Sequence, residues 1–517
     1  MSPTGFKPIV ARHAALALAL ALVAFWRLEQ IRPLALPAWV DSVHHTLAVR
    51  MLLEQRGLPE TWAPYLPGVP FYYHFGFHVS AAAFAWLTGL TGLQLGRAVL
   101  LVGQLWQVGL AWGIYLLARS LRASRAQALS ALILVAFVSQ MPAFYVSWGR
   151  YSLLAGLTLL VFGMAAALEG RGVATAALVA AASLTHYYAF LLLLLFIALH
   201  LAASRDRRRR LVVGAAAAAG ALATTPWLIR VWLWSRAYAR APRGGGPGAA
   251  GGAAAAPAWQ MLGPLRNQVL LVLAAAGAVV LARQALRAEP EQRARLAALL
   301  GFGLALVALM GPWQIGPFRP DHAAIVLFLP AVLLAAAALA ALPRPAAWAA
   351  TLALALWGAQ ETRRIVHPDT VLAEASDLAA LAWVESHTPP QACFLVDVQP
   401  WMGLWRGADG GWWIMPLTGR RTVLPPAAHG WGQPELSALV RAHAARMDAV
   451  SRAAFPEHCI GLERLMEETG ADYYYTHSPR PLQCPQLTAV YAGAGELRIF
   501  ALAHRPADEA APPRGRS

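Results

Sequence analysis

At 517 residues, 58% hydrophobic and only 13% charged, with a mean hydropathy of +0.48, the chain falls outside the soluble class, in which about a quarter of residues are charged. Its formal charge of +16 rests almost wholly on arginines grouped between apolar runs. That is how a multi-pass membrane protein marks its topology and attracts anionic lipid head groups. Nucleic acid is therefore excluded as a partner, and membrane lipids are expected around the basic clusters.

The first apolar run, 13–31, approaches the ~20 residues that cross a bilayer. It is expected to be retained as a span, because no small-residue cleavage site follows it. A long loop, 32–74, opens on "WVDSVHH". Further spans are expected at 97–117, 126–146, 150–168, 172–184, 187–204, 211–232, 266–284, 296–312, 321–341 and 345–360, about eleven in all. Placing "RDRRRR" (205–210) on the cytoplasmic side sets the N-terminus inside and residues 363–517 outside the cell membrane. The segment 74–93 is then a re-entrant or interfacial helix, since a full span there would put Arg119, Arg122 and Arg125 on the wrong side. Residues 233–262 carry "RGGGPGAAGGAAAAP", the composition of a flexible linker.

The tail changes character. "CFLVDV", "DYYYTHS" and "LTAVYAGAGELRIFAL" read as strands, the last as a hairpin turning at "GAGE", and "DLAALAWVESHTPP" reads as a helix stopped by a proline pair. The expected fold class is a polytopic α-helical membrane domain (1–362) followed by an extracytoplasmic α/β domain (363–517). The cysteines, Cys393, Cys459 and Cys484, all lie in that domain. A Cys459–Cys484 bond and three buried free thiols are both open. The stretch 399–426 offers tryptophans with Asp409, Arg420 and Arg421, which suit either a saccharide clasp or the small domain's core.

Under this topology the unusual polar residues near span ends gather on one face. They are Asp41, His44 and His45; His74 and His78; Arg150 and Tyr151; His186; and Arg319, Asp321 and His322. Ionisable groups at membrane depth mark a site by default, and one-sided clustering points to one cavity. Asp41, His44 and His45 share one helical face at i, i+3 and i+4. Asp41 also suits an N-cap of "HHTLAVRMLLEQRG", which should end at Gly57. Arg150 and Arg319 also suit snorkelling, and Tyr72, Tyr73, Tyr187 and Tyr188 an interfacial belt.

The order "DSVHH", "RGLPETWAPY", "YYHFGFHVSAAAFAWLTGLTG", many spans and a C-terminal outer domain resembles the GT-C superfamily of membrane glycosyltransferases. The resemblance implies transfer of a sugar from a polyprenyl-phosphate donor to a hydroxyl of a saccharide, lipid or protein acceptor. It implies Asp41 as catalytic base and His44, His45, His74, His78, Arg150, Tyr151, His186, Arg319 and His322 as substrate-binding residues. No metal ligands are assigned, because the Asp-x-Asp pair and the Trp-Trp-Asp-Tyr-Gly motif of the oligosaccharyltransferases are missing; a divalent metal stays open. The competing readings are a lipid or saccharide flippase, which should show an internal repeat and midplane charges, and a non-catalytic scaffold.

Overall fold

The structure, a computed structural model, describes residues 6–238, 262–311, 318–402, 404–478 and 484–503. Each expected apolar segment is a helix or a bent pair. They run α1 (Phe6–Ile31), α2 (Trp39–Gln55), α3 (Gly76–Thr88), α4 (Leu95–Ser120), α5 (Arg125–Ile133), α6 (Tyr145–Trp148), α7 (Tyr151–Leu168), α8 (Gly172–Thr185), α9 (Tyr187–Ala203), α10 (Arg207–Ala223), α11 (Thr225–Tyr238), α12 (Leu265–Arg287), α13 (Pro290–Leu309), α14 (Pro320–Val326), α15 (Phe328–Ala340) and α16 (Arg344–Thr362). Among the described residues six helical segments are long and apolar enough to cross a membrane, and α10 with α11, bent by 55°, makes a seventh. The chain is a multi-pass α-helical membrane protein.

Several of the expected spans are short or broken, and each break has a local cause. Helix α5, prolonged by a π-turn over Leu134–Val138, stops where Ser139 and Pro142 follow, and α8 and α9 are separated by His186 in extended backbone. Those breaks lie at the end of the bundle that carries α2, so the chain gives up crossing length where polar residues gather. The 13-residue α3 is too short for a full crossing. Residues 233–238, expected within a linker, continue α11, and 239–261 lie outside the described residues.

Close contact between helices relies on small residues, as in membranes generally. At Gly277 of α12 a side chain would collide with the Leu334 carbonyl of α15, so the two backbones touch there. The π-turn leaves carbonyls without helical partners, and buried arginines take them up. Arg27 Nη2 donates to Ala136 O at 2.6 Å and Arg266 Nε to Val138 O at 3.0 Å. At the opposite end Arg295, 1% exposed, joins Glu169 (2.9 Å) on the turn after α7 to Glu291 (2.7 Å) on α13.

Beyond α16 the chain forms α17 (Ala375–His387), β1 (Cys393–Val396), β2 (Val398–Trp401), β3 (Leu404–Gly407), α18 (Ile414–Thr418), β4 (Arg421–Thr422), α19 (Pro434–Arg452), α20 (Glu457–Thr469), β5 (Tyr473–Thr476), β6 (Leu487–Ala492) and β7 (Arg498–Leu502). The main sheet has the order β4-β1-β5-β7-β6. Strand β1 runs parallel to β4 and β5, and the β6–β7 hairpin is antiparallel. All four residues of β1 are buried, as a strand covered on both faces requires. Trp412 and Trp413 are fully buried, so the tryptophans of 399–426 chiefly fill the core. Arg420 is no saccharide clasp, since it donates to the carbonyls of Glu385, Thr388 and Thr418. The core continues into the bundle, where Val43 of α2 and Phe77 of α3 share one cluster with Trp412, Trp413 and Leu417.

Cys459 of α20 is bonded to Cys484, and Cys393 is a buried free thiol. The bond ties α20 to the strand leading into β6 across 25 residues. Replacing both with serine should lower the unfolding free energy of this region by about 3 kcal/mol. Denaturant titration of the wild type and the double variant checks it; equal midpoints would contradict the role given to the bond.

Candidate functional site

Helix α2 carries the first site residues, and its start is not capped as the sequence suggested. Ala38 is the N-cap and has no side-chain capping bond; Asp41 sits inside the first turn. The helix ends with Arg56, not Gly57, in the left-handed conformation. Asp41 is half-buried, and among the described residues its carboxylate accepts no hydrogen bond. Its electrostatic neighbour is Arg150, the residue entering α7. The Arg150 guanidinium lies over the Trp148 ring, 5.0 Å from its centroid, and makes no hydrogen bond or ion pair among the described residues.

A chain of rings leads away from Asp41. His44 and His45 lie 4.6 Å apart, and His45 Nδ1 meets His78 Nε2 on α3 at 2.8 Å. His74 contacts His186 at 4.6 Å and Ser152 Oγ of α7 at 3.0 Å. Tyr73 packs between His44 (5.5 Å) and His74 (3.9 Å). Tyr151 stacks on Phe77 at 5.4 Å and lies 6.3 Å from His45. His322 of α14 reaches the ring of Tyr188 at 5.3 Å. Arg319 forks onto Asp321 at 3.0 and 3.1 Å. Among the described residues His44 keeps both ring nitrogens, and His186 and His322 keep Nδ1, without a hydrogen-bond partner.

The electrostatics follow from burial. Burial raises the Asp41 carboxyl to about 6, against the opposing pull of Arg150. His44 is pushed down to about 3, by burial and then by His78. Burial and neighbouring histidines also hold His45 and His74 well below the usual imidazole range. These imidazoles are therefore neutral at pH 7 and can accept as well as donate. Among the described residues no three His, Cys, Asp or Glu side chains are placed to hold one metal ion.

All ten candidate residues thus lie at one end of the bundle. Asp41, His44, His45, His74, His78, Tyr151 and His186 form one contiguous group. Arg150 links it electrostatically to Asp321 and His322. Tyr73 and Tyr188 face inward rather than forming a belt. Two contributors were missed. Ser152 is an ordinary hydroxyl in an apolar helix. Trp431, from the C-terminal region, stacks on Tyr73 at 4.5 Å and meets His44 edge-on at 5.3 Å. Nothing local in the sequence signals a contact across more than 350 residues.

The chain has the GT-C membrane-glycosyltransferase fold. No family model and no curated protein matches the sequence. Solved structures do. ArnT from Cupriavidus metallidurans in the apo state superposes with a TM-score of 0.58 at 13% identity, over 96% of this chain and 99% of its own. The apo oligosaccharyltransferase of Archaeoglobus fulgidus gives 0.60 at 14%, over 89% and 69%. Arabinofuranosyltransferase AftD from mycobacteria gives 0.60 at 18% over 95% of this chain, which spans only 40% of AftD. One archaeal structure holds Zn and sulfate, and another an inhibitory peptide and dolichol phosphate. These identities establish the fold.

Helix α2 is seated by Gly149, which has φ +64° and on which a Cβ would lie 2.9 Å from both Ala38 O and Ser42 N, with Ser42 Oγ closer still. Gly149→Ala should therefore destabilise the protein by about 2 kcal/mol, through backbone strain and collision with α2. A thermal melt unchanged from wild type would show that α2 is not held against this turn.

Proposed function

We propose that the protein is a membrane glycosyltransferase that moves a sugar from a polyprenyl-phosphate donor to an acceptor hydroxyl, with inversion and with Asp41 as general base. The observation carrying the proposal is the half-buried Asp41 carboxylate, facing the field of Arg150 among neutral imidazoles. The fold shared with ArnT, AftD and the archaeal oligosaccharyltransferase supports the reaction class. The reading divides the chain into a transmembrane part (1–362) and an outer part (363–517). It places the Asp41 end outside the cell membrane, with the N-terminus inside, where the arginine clusters would hold it.

In this mechanism the acceptor oxygen attacks the anomeric carbon while its proton passes to Asp41. The bond from that carbon to the phosphate oxygen breaks, and the phosphate leaves as an anion. No general acid is needed. Arg150 holds the phosphate, because its guanidinium has no ion pair among the described residues. Arg319 joins it only by exchanging Asp321 for the phosphate. His44, with both nitrogens unpartnered, and His74, His78, His45, His186 and His322 orient the sugar and acceptor hydroxyls; Tyr151 backs the α2 face. The described residues do not fit a metal tripod, so no step is routed through a metal. The acceptor is a saccharide, lipid or protein bearing a free hydroxyl, delivered at the membrane surface.

Transfer of radiolabelled sugar from polyprenyl-phosphate donors tests the reading, with Asp41→Asn expected to lose about 10²–10⁴-fold. Wild-type levels of transfer by a folded Asn variant would contradict the base. The product should carry the inverted anomeric configuration; retention would rule the direct displacement out.

The pH dependence has a definite sign. The base must be ionised, so kcat/KM should rise as pH climbs through about 6 and level off above it. In stability the sign is opposite, because a raised carboxyl makes the ionised form a cost that grows above the unfolded value of 3.8. Asp41→Asn should accordingly melt no lower than wild type at pH 8 while losing transfer. A wild-type profile flat between pH 5 and 8 would contradict this assignment.

A further inference from the structure

A recess lies at the same end of the bundle, between α1 and α4. It has a volume of about 500 Å³, and Leu28, Ile31, Leu34, Ala35, Leu100 and Leu101 supply its apolar walls. Arg32, Glu29 and Arg97 stand on its rim. Arg97 occupies the first turn of α4 and Arg32 follows the last turn of α1, so both cations stand at the α2 end of their helices. Leu100 and Leu101 lie three and four residues further along α4, and Leu28 four residues back along α1. At 1.5 Å per residue the apolar floor is about 5–6 Å deeper than the cations.

That gradient of charge above and hydrocarbon below is the complement of a phospholipid. The rim carries two arginines against one glutamate. Arg32, 78% exposed, reaches Glu29 at 3.4 Å, a loose surface pair. The Arg97 guanidinium makes no hydrogen bond or ion pair among the described residues. A span end flanked only by lipid needs neither a recess of this size nor two cations converging on it. The recess also adjoins the segment entering α2, since Gly96 of α4 packs against Leu36 and Pro37.

We propose that this recess binds one anionic glycerophospholipid of the surrounding leaflet, its phosphate held by Arg97 and Arg32 and an acyl chain lying along Leu28, Leu100 and Leu101. The site is separate from the Asp41 group, and its occupant is a resident lipid rather than a reactant. Through Leu36 and Pro37 it steadies the approach to α2.

Native mass spectrometry of the full chain, released from nanodiscs of phosphatidylcholine doped with phosphatidylglycerol, tests this. One phosphatidylglycerol should stay bound. Each arginine near a membrane surface contributes about a fivefold preference for anionic lipid. Retention should therefore fall about fivefold in Arg97→Gln and about thirtyfold in Arg32→Gln/Arg97→Gln. Ala35→Trp, which fills the recess and keeps both charges, should abolish retention and covers the case in which the double variant does not fold. Equal retention by wild type and Ala35→Trp would overturn the site. Displacement of the bound lipid by an equimolar polyprenyl monophosphate would overturn the resident-lipid assignment in favour of the donor's own lipid. Neither readout depends on sugar transfer, so failure here and failure of the transferase reading are distinguishable.

Discussion

A carboxylate kept partly out of water opposite a single guanidinium is the constraint around which the α2 end of this molecule is arranged. Asp41 gives up solvent without gaining a hydrogen bond among the described residues, and Arg150 only partly offsets the cost. Such a pair persists only where the surrounding structure over-determines it. Here Gly149 seats the first turn of α2, and Arg50 anchors the far half by donating to Leu417 O at 2.8 Å. The helix is held from the bundle on one side and from the C-terminal region on the other.

The rest of the fold can be understood as serving that arrangement. Helices α5, α8 and α9 end or begin short of a full crossing at the α2 end, where extended backbone at His186 brings an imidazole to the site. The carbonyls freed by the π-turn are covered by Arg27 and Arg266, so irregular backbone at membrane depth is buried in protein rather than exposed to lipid. At the opposite end, Arg295 and its two glutamates fasten α13 to the turn after α7. The C-terminal region shares a core with α2 and α3, and Trp431 roofs His44 and Tyr73. It is therefore a wall of the site as well as a neighbouring unit.

Much of this was legible in the sequence because bilayer physics leaves few choices. Apolar runs marked nearly every helix, and the ten candidate residues, picked out as polar groups costly near lipid, all lie at one end of the bundle. Short apolar runs marked β1 and β5, and two alternating halves marked the β6–β7 hairpin. What was not legible depended on contacts distant in sequence. Asp41 looked like an N-cap because capping is a local pattern, whereas Ala38 begins the helix under the constraint of Gly149. Tyr73 and Tyr188 looked like part of an interfacial belt because composition cannot say which way a ring turns, on the loop before α3 or on α9. Trp431 had no local marker, since its partners lie in the first 75 residues. A window of hydropathy does not register the bend at Thr224, so 211–232 was expected as one unbroken span.

The central claim is that the donor phosphate sits on Arg150 with its sugar carbon presented to Asp41. A cryo-electron microscopy structure with a non-transferable polyprenyl-phosphate sugar would test it most directly. The account predicts the phosphate within hydrogen-bonding distance of the Arg150 guanidinium, and the face of the anomeric carbon opposite the phosphate turned toward the Asp41 carboxylate. A donor bound with its phosphate away from Arg150, or with Asp41 on the leaving-group side of the sugar, would contradict it.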